Sequence, residues 1–225
     1  MLIKTLFNGH LPRLVIFDLD GTLVDSVPDL SLAVDRALLA LGLSEVGEAN
    51  VRLWVGNGAQ VLIERALRHV LLEVPEKVFD QAYLLFLKEY ECCLASRSRL
   101  YPGVLETLTL LKEMKIPMAV VTNKPIAFTH PVLRGLGVDS YFASVLGGDS
   151  LPAKKPDPLP LNTLIQEYNL SASQVLMVGD SMSDVSAARS AECPVVAVSY
   201  GYNHGVNIME SCPDKVINSL LKLLE

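Results

Sequence analysis

Four short apolar runs punctuate the chain, each followed by a small or polar residue or by tyrosine nearby: Leu14-Val15-Ile16-Phe17, Met118-Ala119-Val120-Val121, Val175-Leu176-Met177-Val178 and Val195-Val196-Ala197-Val198. None alternates apolar with polar residues as a half-exposed strand does. Unbroken hydrophobicity predicts strands covered on both faces, the condition of a parallel sheet between helices. Between these runs the apolar spacing turns helical. Val104, Leu105, Leu108, Leu111 and Met114 mark a helix within 101–114 that Pro117 stops. Shorter helices fit 159–168 and 184–191. Strand-helix alternation predicts an α/β fold, a doubly wound parallel-sheet (Rossmann-like) core domain.

One interval is too long for a crossover helix. Residues 18–117 separate the first strand from the next, and most of that stretch reads as helix. Val27, Leu30, Val34, Ala37, Leu38 and Leu41 share one face of a helix that Ser26 would cap and Gly42 would end. Val61, Leu62, Ala66, Leu67 and Val70 line a second, and Val78, Phe79, Ala82, Leu85 and Phe86 a third that opens near Pro75. The pattern predicts an inserted all-helical cap domain over 25–99, with 1–24 and 100–225 forming the core. The alternative packs these helices directly on the sheet.

Composition adds limits. With 225 residues, 50% of them hydrophobic, the chain can build a core domain and a small second one. The formal net charge of -6 and the lack of a basic stripe give no reason to expect nucleic acid as a partner. No apolar run approaches the ~18 residues of a membrane span. The first residues lack the apolar stretch of a secretory signal. Cys92, Cys93, Cys193 and Cys212 form no C-x-x-C pair and read as reduced thiols. A cytoplasmic protein without membrane contact, monomer or homodimer, is expected.

The candidate chemistry sits where strands end. Asp18 and Asp20 close the first strand, and a spacing of two in extended chain puts both carboxylates on one side. In an open parallel sheet, ligands bind beyond the carboxyl ends of the strands. Two carboxylates about 4 Å apart repel by about 4 kcal/mol even at an effective dielectric of ~20, so the pair needs a cation or a shared proton. Read alone, it is more often a helix cap or an Asx-turn at a strand-to-helix junction. The third run ends in Gly179-Asp180-Ser181-Met182-Ser183-Asp184. If the two strands are neighbours, Asp180 approaches Asp18 and Asp20. An all-oxygen cluster suits Mg²⁺, and no His or Cys nearby suggests zinc. Thr122 and Asn123, after the second run, offer a hydroxyl and backbone N–H groups to phosphate oxygens. Lys155, in Lys154-Lys155-Pro156-Asp157-Pro158, is either held by a stiff loop near the nucleophile or simply exposed.

Asp18-Leu19-Asp20-Gly21-Thr22, the strand ending in Thr122, the Lys155-Pro loop and Gly179-Asp180-Ser181-Met182-Ser183-Asp184 together resemble the haloacid dehalogenase-like hydrolase superfamily, in order and over essentially the whole chain. The resemblance implies a phosphatase acting on small-molecule phosphate esters. It implies Asp18 as nucleophile and Asp20 as acid and then base, with Lys155, Thr122 and the Asn123 backbone on the transferring phosphoryl group. Mg²⁺ would be held by the Asp18 carboxylate, the Asp20 backbone carbonyl and Asp180, with Asp184 orienting them. Superfamily dehalogenases lack an acid/base at the position of Asp20, and transport ATPases carry Thr there.

The segment from Trp54 to Leu67 is similar to the cap of bacterial phosphoglycolate phosphatases, as are Thr122-Asn123-Lys124-Pro125, Gly147-Gly148-Asp149 and Tyr200-Gly201-Tyr202-Asn203. Gly56, Asn57 and Gly58 would open a helix whose free N–H groups suit a small carboxylate. Arg65 reads as a surface ion pair rather than an added substrate cation. Residues 200–205 line the pocket or merely turn. The implied reaction is hydrolysis of phosphoglycolate. The alternatives are a β-phosphoglucomutase-like mutase, a broad-range phosphatase or pyrophosphatase, and a catalytically idle binding module.

Overall fold

The computed structural model describes residues 1–225. Helix α1 (Leu2–Leu6) precedes the first sheet strand, β1 (Leu14–Phe17). A two-residue strand, β2 (Val24–Asp25), then leads into four helices: α2 (Val27–Ala40), α3 (Gly47–Trp54), α4 (Ala59–Val70) and α5 (Glu76–Cys93). The chain returns through β3 (Arg99–Leu100) and continues as α6 (Val104–Glu113), β4 (Met118–Val121), α7 (Ile126–Gly135), β5 (Ser144–Leu146) and α8 (Leu159–Glu167). It ends with β6 (Val175–Gly179), α9 (Met182–Ser190), β7 (Val195–Val198) and β8 (Lys215–Ile217). No helix is long and apolar enough to cross a membrane.

Six strands form one parallel sheet in the order β5-β4-β1-β6-β7-β8. Its unbroken apolar runs have a direct cause. Val15 and Phe17 of β1, with Val120 and Val178, pack into one layer with α6 and α7. Leu14 and Ile16, with Val121 and Met177, pack into the opposite layer with α8 and α9. Successive side chains of each strand therefore enter different cores, and both must be apolar. The chain runs outward from β1 through β4 to β5, then crosses back to β6 and runs the other way. The switch in direction lies between β1 and β6, where a crevice opens beyond the strand ends.

The helices between β2 and β3 build a third hydrophobic cluster from Val27, Val34, Leu38, Leu62, Leu67, Phe86 and their neighbours. Chain exit and return meet in an antiparallel ribbon, Val24 opposite Leu100 and Asp25 opposite Arg99. Several details differ from the sequence reading. Strands β5 and β8 lie at the sheet edges and are only partly buried, so they lack the apolar run that marks the inner strands. Helix α7 contains Pro131, which hides it from a periodicity reading. Leu105 sits in α6 but is exposed. Gly42 follows α2 with a positive φ of 73°, as a helix-ending glycine does. Ser26 precedes α2, but its hydroxyl caps nothing and is buried without a partner. The Tyr202 hydroxyl instead accepts from the Ser26 and Val27 N–H groups (3.0 and 3.4 Å).

Asp29, in the first turn of α2, is fully buried. Its carboxylate accepts from the Ser96 hydroxyl (2.8 Å), the Arg97 N–H (2.8 Å), the Ser98 N–H (2.9 Å) and the Ser98 hydroxyl (2.5 Å). It ties the start of the helical segment to its return. Asp29→Ala orphans two backbone donors and is expected to lower the unfolding free energy by about 3 kcal/mol. Urea titration measures it, and a loss under about 1 kcal/mol would contradict the assignment.

Candidate active site

Asp18 follows β1, and its N–H donates to the Val178 carbonyl of β6 (2.9 Å), which locks the two strand ends together. Gly21 turns the chain back with a φ of 89°, a left-handed value that other residues adopt at a cost. It also leaves space, since a Cβ there would lie 2.2 Å from Asp180 Oδ2. Asp180, after β6, is held from two sides. Thr22 Oγ1 donates to its Oδ1 (2.9 Å), and the Tyr202 N–H donates to its Oδ2 (2.7 Å). Gly201 permits that approach, because a Cβ there would sit 2.1 Å from the Asp180 Cβ. Asp184, in the first turn of α9, accepts from the Ser181 hydroxyl (2.7 Å) and the Ser181 N–H (3.0 Å) in a capping box.

Carboxylate oxygens of Asp18, Asp180 and Asp184 lie within 4.8 Å of one another, and all three residues are buried. A single ammonium faces them. Lys155 Nζ donates to Asp184 Oδ1 (2.6 Å) and sits 2.8 Å from Asp18 Oδ1. The second contact is a buried ion pair. Burial pushes the Asp18 carboxyl up to about 7 from an ordinary 3.8, with Lys155 pulling it back and Asp184 adding to the rise. Asp180 lies well above its ordinary value, through burial first and Asp18 second. Burial opposes the charge of Lys155, yet Asp18 and Asp184 outweigh it and hold the ammonium protonated. Three buried carboxylates against one cation leave negative charge uncompensated. An all-oxygen donor set carrying this excess charge fits a hard divalent cation.

Asp20 stands apart from this cluster. Lys124 Nζ donates to both of its oxygens (3.0 and 2.8 Å), and both residues are buried. Asp18, Asp20, Thr122, Asn123 and Lys124 floor a cavity of about 30 Å³. Leu30, Val55, Gly56, Gly58, Leu62, Phe86 and Tyr90 of the helical segment cover it, with Phe128 of α7 at the side. The Asn123 side chain donates to the Lys155 carbonyl (2.9 Å) and the Gly56 carbonyl (3.1 Å), joining the core to the cover. Asn57 does not line the cavity, and its carbonyl accepts from Lys154 Nζ (3.1 Å).

Three placements revise or resolve the sequence reading. Lys155 is buried beside Asp18, not exposed. Arg65 makes no ion pair; it donates to the Trp54 carbonyl at the end of α3 (2.6 Å). Residues 200–205 neither turn idly nor line the cavity. Tyr202 joins Asp180 to the helical segment, and its hydroxyl donates to Asp25 Oδ1 (2.6 Å). Sequence reasoning assigned no task to Lys124, Tyr90 or Tyr202. A lysine directly after a strand-ending Thr-Asn is the one local signal that pointed to any of them.

A carboxyl with a raised folded-state pKa stabilises the fold below its unfolded value of 3.8, and that contribution is lost as pH rises through about 7. In chelator, the thermal midpoint is therefore expected to fall between about pH 5 and about pH 8. Millimolar Mg²⁺ should restore it at the higher pH by mass action, and Asp180→Asn should abolish that response. A midpoint indifferent to the ion argues against a cation at this cluster.

A family model described as haloacid dehalogenase-like hydrolase matches residues 12–192. A phosphoglycolate phosphatase from Nitrosococcus oceani is 47% identical over 213 residues, covering 94% of this chain and 95% of its own. One from Pseudomonas savastanoi pv. phaseolicola is 48% identical, over 98% of this chain and 82% of its own. Among solved structures, that of a predicted phosphoglycolate phosphatase from Haemophilus somnus superposes with a TM-score of 0.91 at 42% identity, covering 95% of this chain and 98% of that one. The phosphate complex of CbbY from Rhodobacter sphaeroides, at 20% identity and a TM-score of 0.80 over 95% and 96% of the two chains, shares the fold. With the family model spanning most of its length and an aspartate cluster at the sheet's switch point, the chain belongs to the haloacid dehalogenase-like hydrolases.

Proposed function

We propose that this hydrolase cleaves phosphoglycolate to glycolate and phosphate through an aspartyl-phosphate on Asp18. The observation that carries the reading is the site itself: a buried aspartate with a lysine ion-paired to it, and Thr122 and Asp20 beside it under one cover. The substrate comes from the relatives, which bear that activity in their names over nearly the whole chain. The cavity is compact.

In this reading residues 25–99 act as a cap over a core made of 1–24 and 100–225. Asp18 attacks phosphorus, the ester P–O bond breaks, and its electron pair leaves on the glycolate oxygen, which Asp20 protonates. Water then attacks the phosphoryl group and gives its proton to Asp20 as the bond to Asp18 breaks. Lys155 offsets the nucleophile's charge, while the Thr122 hydroxyl and the Asn123 N–H hold the phosphoryl oxygens. The start of α4, preceded by Gly56 and Asn57, turns its partial positive charge toward the acid end. Asp18, Asp180 and the Asp20 carbonyl are the residues that would hold Mg²⁺, oriented by Asp184. When bound, the ion screens the nucleophile from the incoming phosphoryl charge.

A substrate panel tests the reading. kcat/KM for phosphoglycolate is expected to exceed that for hexose phosphates by about a hundredfold or more, and comparable values would refute the assignment. Asp18→Asn is expected to remove all turnover. Asp20→Asn should lower kcat by roughly 10²–10⁴ while phosphate transfer to Asp18 remains detectable with an aryl phosphate, whose leaving group needs no proton.

A further inference from the structure

Lys124 is the only cationic side chain lining the cavity. Its ammonium has three donors, of which Asp20 takes two. Directly across stands Tyr90 of α5, with the ammonium 5.0 Å from its ring centroid. Tyr90 is 1% exposed and lines the same cavity, and its hydroxyl lies close to that ammonium without a well-aligned hydrogen bond. A buried hydroxyl short of a full hydrogen bond costs about 1–3 kcal/mol, so an acceptor reached by both groups would be favoured in this corner. Burial pushes the phenol up to about 12, which keeps it a neutral donor at working pH. The other cover side chains here, Leu30, Val55, Leu62 and Phe86, are apolar, so beside the start of α4 only Tyr90 offers the acid a donor from the cover.

We propose that Lys124 and Tyr90 together bind the carboxylate of an acid-bearing phosphate ester and thereby select it over neutral esters of the same size. One donor comes from the core and one from the helical cover, so the acid end is gripped only when the two halves meet. Lys155 and Lys124 divide the substrate between them, the first serving the phosphoryl end and the second the acid. Lys124 also touches Asp20, so a change there alters the chemistry as well as the selection. The discriminating quantity is therefore a ratio between two substrates and not a rate.

The proposal rests on the phosphoglycolate reading, and the experiment separates the two. kcat/KM is measured for phosphoglycolate and for hydroxyethyl phosphate, which replaces the carboxylate by a neutral alcohol, in wild type, Lys124→Met and Tyr90→Phe. Wild type is expected to prefer the acid, and both variants should lose at least about tenfold of that preference, chiefly through KM for the acid. Tyr90→Phe keeps the ring and its packing, so its ratio decides the matter should Lys124→Met fail to fold. Equal losses on both substrates would overturn the proposal and leave Lys124 as a positioning residue for Asp20 alone. A wild type without acid preference would overturn the substrate reading, and the proposal with it.

Discussion

Negative charge held out of water is the constraint from which this site is built. Asp18, Asp180 and Asp184 converge where β1 and β6 end, in a place that solvent scarcely reaches. Desolvated carboxylates repel one another strongly unless a cation intervenes. The fold answers with one fixed ammonium, Lys155, and with hydrogen bonds from Thr22, Ser181 and the Tyr202 backbone. That compensation is incomplete, since one ammonium faces three carboxylates. The same incompleteness gives a divalent ion and a phosphoryl group a reason to settle there.

How much of this was legible depended on whether a residue's task was local. The inner strands announce themselves because each residue feeds one of two apolar layers, while β5 and β8 at the edges are under no such demand. The aspartates were legible because they follow recognisable strands, and parallel neighbours bring strand ends together. Lys124 had no such frame. Its burial depends on α5 arriving from a distant part of the chain with Tyr90, and no periodicity in either segment encodes that meeting. Arg65 misled for the opposite reason: a helical arginine usually finds a carboxylate, but the nearest acceptor was the open carbonyl end of α3.

The division of labour between core and helical segment follows from their chemistry. The core supplies every charged group on the cavity floor, and the cover supplies apolar surface with one phenol. Charged groups and apolar cover thus sit on different hydrophobic clusters, joined by a short ribbon and the Asp29 hydrogen bonds. In the proposed reading, the first carries the reaction and the second the choice of substrate.

Tyr202 gives this arrangement a handedness. Its backbone grips Asp180, its hydroxyl closes the start of α2 and bonds to Asp25, and the Arg52 guanidinium lies over its ring at 5.3 Å. On the opposite rim, the segment is held to the core by two side-chain-to-carbonyl bonds, from Asn123 and Lys154. The fastening is therefore lopsided: a rivet on one edge, a latch on the other. A change in the cover thus reaches Asp180 through a backbone N–H, but reaches Asn123 and Lys154 only through their side chains.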